Sequence, residues 1–381
     1  MKKVLRVFEA FSGIGSQKMA LRNLGINHEV IGTSEIDIDA IISYAHIHSN
    51  LEVIDCNIEY EEMIKFLKKR NIGYDSKINR SKIDNLSAER LEILYKSCLA
   101  SKNFGDISRI NPNSIPQHDL FTYSFPCQDI STLGEQLSCA KNSGTRSSLL
   151  WESKKIIEAK KPKYLLLENV RNLVSKRHKK NFELWEQWLS IQGYVNYWGV
   201  LDSKDYGIPQ RRPRVFMISI LGEEIFDFNE LTKKTKAYNI NDFLEKDLEY
   251  DEFYDINNIR DEMKSVKIKD FTIEDGEIKF WDDRDWRING IMIQDVCSTQ
   301  RAGRSGLKCV KREGEILKVR KLTPKECWRL MGFKDQDYEK VVSAGVSKTQ
   351  ILRQCGNSIV VNVLEELFFS LFYRYIQIEK G

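Results

Sequence analysis

Four short segments of this 381-residue chain carry side chains whose types and spacing could do chemistry. The first contains Gly13 and Gly15, between an apolar run and a helical pattern. Glycines let a backbone approach a ligand, and the amides at a helix N-terminus face that ligand. Lys18 stands where a dinucleotide fingerprint has its third glycine, but Glu35 ends the next predicted strand, where a carboxylate can accept ribose hydroxyls. The pattern favours an adenosine-containing ligand without requiring a pyrophosphate.

The second segment places Cys127 between Pro126 and Gln128, after a predicted strand at 119–124. A cysteine is more often a small buried hydrophobe than a nucleophile. Open α/β sheets bind ligands at the carboxyl ends of their strands, however, and a thiol there can ionise if a cation or a helix N-terminus lowers its pKa. Its position therefore makes Cys127 a candidate nucleophile.

The third segment places Glu168 directly after the apolar run 165–167. Removal from water raises the pKa of a carboxyl group, which favours a neutral acid able to donate a proton near pH 7. The alternative is a strand-end carboxylate that caps a following helix.

The fourth segment is the polar run 210–214, which enters an apolar strand-like segment. Alternate residues of an extended chain share a face, so we expect Gln210, Arg212 and Arg214 to point together. Two guanidiniums on one face suit a phosphate or a carbonyl oxygen, although a solvated charge cluster is the usual alternative.

The elements that must position these residues follow an alternating pattern of short apolar runs and helical segments. Predicted strands lie at 3–10, 29–34, 119–124, 163–167 and 214–220, with a helix at 182–191. This alternation predicts an α/β fold with a doubly wound, mainly parallel, Rossmann-like sheet.

Two departures from the alternation predict the domain organisation. Residues 61–103 contain two charged, helix-like stretches, which we interpret as a helical insertion. The composition then becomes acidic and aromatic, so we predict a catalytic and cofactor-binding domain at 1–220, a smaller domain at 221–319, and a return to the first domain at 320–381. The last segment carries one apolar stripe, predicted to be core: Val361, Leu364, Leu367, Phe368, Leu371, Phe372 and Tyr375.

Composition excludes several protein classes. Hydrophobic residues at 41% and charged residues at 30% are ordinary for a folded, soluble protein. We expect the cytosol and no membrane span, because no run approaches the roughly 20 apolar residues that a span requires. The eight cysteines contain no Cys-x-x-Cys pair, so we expect neither a metal site nor a disulfide framework. The net charge is +4, but 221–290 holds 20 acidic and 11 basic residues, which concentrates basic surface elsewhere.

Taken in chain order, the four segments resemble the DNA (cytosine-5) methyltransferases. Residues 320–333, which read Arg-Lys-Leu-Thr-Pro-Lys-Glu-Cys-Trp-Arg-Leu-Met-Gly-Phe, and 355–360, which read Cys-Gly-Asn-Ser-Ile-Val, are similar to two late motifs of that family. The resemblance covers 4–60, 104–220 and 319–381, roughly three quarters of the chain. Six motifs in register are too many for chance.

The resemblance implies S-adenosylmethionine as the cofactor. It places Glu35 on the ribose, and Asn357 closing the pocket. The remaining cofactor positions that it implies are Phe11, Gly13, Gly15 and Ile36, with Asp106 and Ile107 at the adenine. Ser16 replaces a frequent glycine, and Ile36 stands where the family often has an aromatic residue against the adenine.

The resemblance also implies a mechanism. The thiolate of Cys127 adds to C6 of cytosine, Glu168 relieves the charge at N3, Arg214 lies at O2, and Arg212 steers phosphate or thiolate. The base must leave the duplex for this chemistry. Residues 128–145 resemble the family's mobile loop that closes over DNA.

The smaller domain would be the target-recognition domain of a bacterial restriction-modification or orphan enzyme. Its partner would be double-stranded DNA, and we expect a monomer in the bacterial cytosol or nucleoid. The segment 298–308 has groups suited to base edges, so Gln300, Arg301 and Arg304 are the predicted DNA-reading residues.

Three alternatives stand beside this interpretation. A tRNA cytosine-5 methyltransferase of the same fold is disfavoured, because the chain lacks the Cys-Phe-Thr triplet of that branch and has a long specificity region. A nicotinamide oxidoreductase would leave the Pro-Cys-Gln and Glu-Asn-Val segments without a role. An inactive DNA-binding protein would not need the full set of catalytic residues.

Overall fold

The computed structural model describes residues 4–55, 57–75, 80–125, 149–234, 239–246, 248, 254–255, 273–282, 292–302, 307–314 and 316–377. A six-stranded sheet forms its centre. The strands of this sheet are β1 (Leu5–Ala10), β2 (His28–Ser34), β5 (Leu120–Tyr123), β6 (Tyr164–Val170), β7 (Tyr194–Asp202) and β8 (Pro213–Leu221).

The order across the sheet is β2-β1-β5-β6-β8-β7. The pairs β1 with β2, β1 with β5 and β5 with β6 are parallel, whereas β8 runs antiparallel to both β6 and β7. The prediction of a mainly parallel sheet is confirmed. Strand β7 was not predicted, because its side chains alternate between exposed and buried at the sheet edge and form no continuous apolar run.

Ten helices accompany these strands in the part of the chain that the structure describes. They are α1 (Ser16–Asn23), α2 (Ile38–His48), α3 (Tyr60–Lys69), α4 (Ala88–Ala100), α5 (Leu150–Lys160), α6 (Lys179–Ile191), α7 (Pro324–Arg329), α8 (Asp335–Ser343), α9 (Lys348–Asn357) and α10 (Val361–Gln377).

Hydrophobic cores cover both faces of the sheet. Successive residues of a strand point to opposite faces, and β6 shows this directly. Leu166 belongs to one core, and Leu165 and Leu167 belong to the other. All three are almost completely buried, so the strand that carries Glu168 is held rigidly on both sides.

The predicted insertion at 61–103 is largely helical. Helices α3 and α4 pack against each other, and α4 also contacts α2. Between them lies a short hairpin of β3 (Tyr74–Asp75) and β4 (Arg80–Ser81). Leu91, Leu94, Tyr95 and Cys98 are buried, as their helical spacing indicates.

A second, antiparallel sheet begins within the acidic part of the sequence and continues beyond it to Lys321. Its order is β11-β10-β12-β13-β9. The strands are β9 (Tyr254–Asp255), β10 (Ile278–Asp282), β11 (Met292–Gln294), β12 (Lys308–Glu313) and β13 (Ile316–Lys321). Strand β13 runs past the predicted boundary at 319–320, so the return to the first sheet begins with α7.

One stretch of the described chain, Lys348–Phe372, is long and apolar enough to cross a membrane by length and composition alone. It comprises α9 and most of α10, and 56% of its most apolar window is buried. Leu364, Leu367 and Phe368 belong to the larger hydrophobic core, and α10 packs against α1. Packing inside the fold therefore accounts for this apolar stretch.

Candidate active site

Glu168 and Arg214 meet on the adjacent strands β6 and β8, at the end of the central sheet where β6 finishes and β8 begins. In the antiparallel register of β6 and β8, Val170 pairs with Arg214. The Arg214 Nε atom lies 3.3 Å from Oε1 of Glu168, and Glu168 is 8% exposed. Burial raises the pKa of Glu168, while Arg214, Arg212 and a hydrogen bond from Ser124 act in the opposite direction without reversing the shift. The site thus holds a buried carboxyl group with a raised pKa beside a cation.

The next residue of β6 holds the backbone that leads to the candidate nucleophile. The Asn169 side-chain amide donates a 3.0 Å hydrogen bond to the carbonyl of Phe125, and both residues are buried. Phe125 is followed by Pro126, Cys127 and Gln128, which lie outside the described residues together with the predicted loop at 128–145. Phe125, which lies two residues before Cys127, is therefore bound to the residue that follows Glu168.

Arg212 binds main-chain atoms and is nearly inaccessible. It is 4% exposed, and its guanidinium donates to the carbonyls of Gln300 at 2.9 Å, Gly356 at 2.8 Å and Ser358 at 2.7 Å. These bonds occupy both terminal nitrogens. These contacts hold Arg212 in place, and its role in steering a phosphate or a thiolate stays a prediction. Its position joins three segments that are distant in sequence.

Gln210 completes the same joint. Its side chain donates to the Leu330 carbonyl at 2.9 Å and accepts from the backbone amide of Gln300 at 3.0 Å. Gln210 and Arg212 therefore both contact Gln300, as their alternation predicts, whereas Arg214 turns toward Glu168.

The predicted DNA-reading residues divide between different environments. Gln300 is 5% exposed and its side chain lies beside Cys327, so its buried position argues against contact with a base. Arg301 is half-buried, and Arg304 lies outside the described residues. The segment around Arg301 packs against a late motif, because a Cβ atom on Gly356 would lie 2.1 Å from the Ala302 nitrogen. Only glycine allows this approach.

At the amino end of α1, Glu35 organises the glycine turn. One carboxylate oxygen accepts the amides of Ile36 at 2.8 Å and Asp37 at 2.9 Å, and the other accepts the amide of Gly13 at 3.0 Å. A carboxylate offers about four lone-pair directions, so one remains for a ligand hydroxyl. Burial raises the pKa of Glu35, and the neighbouring Asp37 carboxylate raises it further. The hydrogen bonds from these three amides lower the pKa but do not reverse the shift.

The two glycines of this turn lie in different surroundings. Both have positive φ, 53° for Gly13 and 80° for Gly15. A Cβ on Gly15 would lie 2.3 Å from the ring of His48, whereas a Cβ on Gly13 would meet nothing within 4 Å. Gly15 is needed for helix packing, and Gly13 borders open space. Phe11 also has positive φ, 55°, which is a strained conformation typical of ligand-binding turns.

The predicted adenine-side residues lie on a neighbouring turn. Asp106 accepts from the Asn71 side chain at 2.6 Å and from the Ser108 amide at 3.0 Å, and Ile107 is buried. Gly105 precedes them with φ of 82°, and a Cβ there would lie 2.2 Å from the Arg70 carbonyl. Asn357, the last residue of α9, is exposed.

Comparison with known proteins establishes the family. Residues 70–372 match the family model described as C-5 cytosine-specific DNA methylase. The chain belongs to this family. Two relatives extend the match to nearly the whole chain: the Type II methyltransferase M2.ScrFI of Lactococcus lactis subsp. cremoris is 45% identical over 97% of this chain and 99% of its own length. The orphan methyltransferase M.SssI of Spiroplasma monobiae is 32% identical over 96% of both chains.

A solved structure shares the fold. The Dnmt2 methyltransferase of S. pombe superposes with a TM-score of 0.60 and 18% identity over 97% of this chain and 99% of its own. At that identity the likeness supports the fold alone. The family and the relatives make this chain a DNA cytosine-5 methyltransferase of the restriction-modification type.

The late motif of this methyltransferase contains a buried ion pair that the sequence did not reveal. Arg320 donates to both carboxylate oxygens of Glu326, at 2.7 Å and 2.6 Å, and neither residue is more than 2% exposed. Glu326 also closes a capping box with Thr323 at the start of α7. The Ser/Thr-x-x-Glu spacing predicts the capping box. The ion pair of Glu326 with Arg320 could not be predicted in this way, because the position of Arg320 depends on the pairing of β13 with β12.

Asn169 and Asn71 are two further residues missed by the sequence analysis. Asn169 directly follows Glu168, which was the available signal. Asn71 lies inside the helical insertion and contacts Asp106 from 35 positions away, so no local pattern marks it.

Proposed function

We propose that this enzyme transfers a methyl group from S-adenosylmethionine to C5 of a cytosine flipped out of a specific duplex DNA sequence, through a covalent bond between Cys127 and C6. The observation that carries the proposal is the buried pair of Glu168 and Arg214, adjacent to the Phe125 carbonyl from which the chain continues to Cys127. A neutral acid, a fixed cation and a nearby thiol are the groups that this reaction needs.

Each residue has one task in the proposed reaction. The thiolate of Cys127 adds to C6 of cytosine, which moves an electron pair through the ring toward N3 and O2. Glu168, whose pKa is raised by burial, donates a proton to N3, and Arg214 stabilises the charge at O2. The ring then has an enamine-like C5. Once C5 has gained its methyl group, a base removes the C5 proton and the Cys127 sulfur leaves with its electron pair.

The glycine turn fits the proposed cofactor. Glu35 keeps one lone-pair direction for a ribose hydroxyl, Gly13 borders open space, and Phe11 is held in a strained conformation. Ile36, Asp106, Ile107 and Asn357 remain proposed contacts around the same region. When bound, S-adenosylmethionine supplies an electrophilic methyl group on a sulfonium.

Arg301 and Arg304 remain the proposed base-reading residues, with Gln300 supporting the segment from inside. Each good contact to a base edge contributes on the order of 1–3 kcal/mol of discrimination. Bisulfite sequencing of DNA from a methylation-free host would give the target, and Arg301→Ala should relax it at particular bases. Unchanged ranking of near-cognate sites would place base reading elsewhere.

Covalent trapping tests the nucleophile. Duplex DNA with 5-fluorocytosine at the target should form a denaturation-resistant complex with the wild-type enzyme, because fluorine cannot leave as a proton would. Cys127→Ser should lose this complex, while Cys98→Ser, which changes a buried thiol of α4, should keep it. A serine variant that trapped DNA at the wild-type rate would overturn the assignment.

A substrate comparison tests the nucleic acid. We propose double-stranded DNA as the partner of a monomeric enzyme in the bacterial cytosol or nucleoid. Radiolabelled methyl transfer should occur to duplex DNA and not to tRNA. Transfer to tRNA alone would instead favour the tRNA methyltransferase activity.

A further inference from the structure

A run of basic residues follows the strand that carries Glu168. We call residues 176–180, which read Lys-Arg-His-Lys-Lys, the basic segment. Lys176, Arg177, Lys179 and Lys180 are all exposed. Burial and the adjacent Arg177 lower the pKa of His178, which disfavours a charge on its ring. The other four residues carry the positive charge of the segment.

The fold places the basic segment at the edge of the sheet that holds the candidate active site. Strand β6 runs toward Val170, and the turn that follows it, Arg171–Val174, packs against β8. Leu173 and Phe182 are buried in the same core, which anchors the chain on both sides of the segment. The basic segment therefore follows the end of β6 that carries Glu168, after the turn that packs against the strand of Arg214.

The charges of the segment oppose the stability of the helix that it begins. Lys179 and Lys180 are the first two residues of α6, and no acidic residue lies in its first turn. The N-terminus of a helix carries a partial positive charge, so each lysine there is unfavourable unless an anion is present. One ion pair, 3.5 Å from Lys179 to Glu183, compensates in part.

The cap of this helix is also incomplete. His178 occupies the N-cap position without a side-chain capping bond. It is 1% exposed, and its Nε2 atom has no hydrogen-bond partner among the residues that the structure describes. A polar atom buried without a partner costs free energy, so the helix start is not optimised for the isolated protein. Helix N-termini of this kind bind phosphate groups.

We propose that the basic segment binds consecutive phosphates of the DNA duplex beside the target cytosine. This inference rests on the proposed function and specifies which surface holds the DNA backbone. Exposed lysines, a helix dipole and an unsatisfied cap all favour the same class of ligand, a polyanion. The position after the end of β6 brings that polyanion toward the base that must reach Glu168.

Two matched triple variants test this inference. K176Q/K179Q/K180Q removes three charges from the basic segment. K160Q/K161Q/K163Q removes three charges from the opposite end of β6, about 20 Å away along a seven-residue strand. Binding of a fluorescein-labelled duplex is measured by anisotropy over roughly 50–200 mM salt.

The first variant should bind more weakly and lose about 0.9 of salt slope for each phosphate contact removed, up to roughly 2.7. The second should keep the wild-type slope. Because Lys179 and Lys180 oppose the helix dipole, the midpoint of thermal unfolding of the first variant should not fall, which separates lost contacts from lost folding. K176Q and K180Q alone should each show a smaller change in the same direction.

Equal slopes for the wild type and both triple variants would overturn the inference. If the wild type methylates duplex DNA and binds it with a steep salt dependence, that result leaves the proposed function intact. A wild-type enzyme that neither methylates nor binds the duplex would instead overturn the proposed function.

Discussion

At the scale of single residues, the buried carboxyl group of Glu168 is the most informative feature. Glu168→Gln keeps the shape of the side chain but cannot transfer a proton to N3. Single-turnover methylation should therefore slow by about 10²-fold or more, the scale expected for a general acid. Cofactor affinity, measured by calorimetry, should stay the same.

The pH dependence of methylation supplies a second test of Glu168. Its pKa is raised, so the neutral form that donates the proton is lost as pH rises through that pKa. The single-turnover rate of the wild type should therefore fall as pH rises through this pKa. The rate of Glu168→Gln should not show that decline. Glu183→Gln, an exposed change on α6, serves as the control. A wild-type rate for Glu168→Gln would leave Glu168 with a structural role only.

Glu9 is a second buried carboxyl group, on β1 beneath the glycine turn. Tyr44 donates to it at 2.6 Å, and burial raises its pKa to about 7. Between pH 4.5 and 7 the folded state keeps a proton that the unfolded state releases, so stability falls as pH rises. The change from 4.5 to about 7 corresponds to about 3 kcal/mol.

Glu9→Gln should remove this dependence. Relative to the wild type, the variant should gain up to about 3 kcal/mol of unfolding free energy between pH 4.5 and 7. Urea unfolding at several pH values measures the difference. A constant difference across this range would show that Glu9 keeps an ordinary pKa in the folded protein.

Local sequence predicted much of the site at this scale. Glu168 directly follows an apolar run, so its place in the last three residues of β6 could be read from neighbouring residues. The position of Cys127 stays a prediction. The contacts of Arg212 could not, because its acceptors lie 88, 144 and 146 positions away. A guanidinium that binds phosphate and one that binds carbonyl groups look the same in sequence.

At the scale of elements, the pair of Arg320 and Glu326 joins β13 to α7. Glu326→Ala would leave Arg320 buried without its partner, and such a loss costs about 3–5 kcal/mol. The partly exposed pair of Lys325 and Glu339 on α7 and α8 is the control, and Lys325→Ala should cost less than about 1 kcal/mol. Denaturant unfolding compares the two. Similar losses would contradict the role given to the buried pair.

The accuracy of the predicted elements followed the burial of each strand. Strands β1, β5, β6 and β8 are covered on both faces and read as apolar runs. Edge strand β7 mixes exposed and buried residues, including Trp198 at 40% exposed, and its pattern was too weak to identify. The strands of the second sheet are short and rich in charged residues. Their pairing order depends on long-range contacts and could not be predicted from local sequence.

At the scale of the whole molecule, the two sheets share a hydrophobic core. One continuous cluster includes Val7 of β1, Phe280 of β10, Cys309 of β12 and Phe368 of α10. Unfolding should therefore be a single transition, with coincident curves from far-ultraviolet circular dichroism and tryptophan fluorescence. A separate early transition would mean that 221–319 unfolds by itself.

The joint built by Arg212 and Gln210 is made with main-chain atoms of the segments that it holds. Arg212 and the Gln210 side chain bind main-chain atoms of Gln300, Gly356, Ser358 and Leu330. Nearby, the Cys297 amide and carbonyl pair with main-chain atoms of Pro209 and Arg211. Main-chain atoms are the same whatever the side chain. Side chains of the segment between Arg211 and Cys297 can therefore be exchanged while these main-chain hydrogen bonds keep both ends of the segment in register.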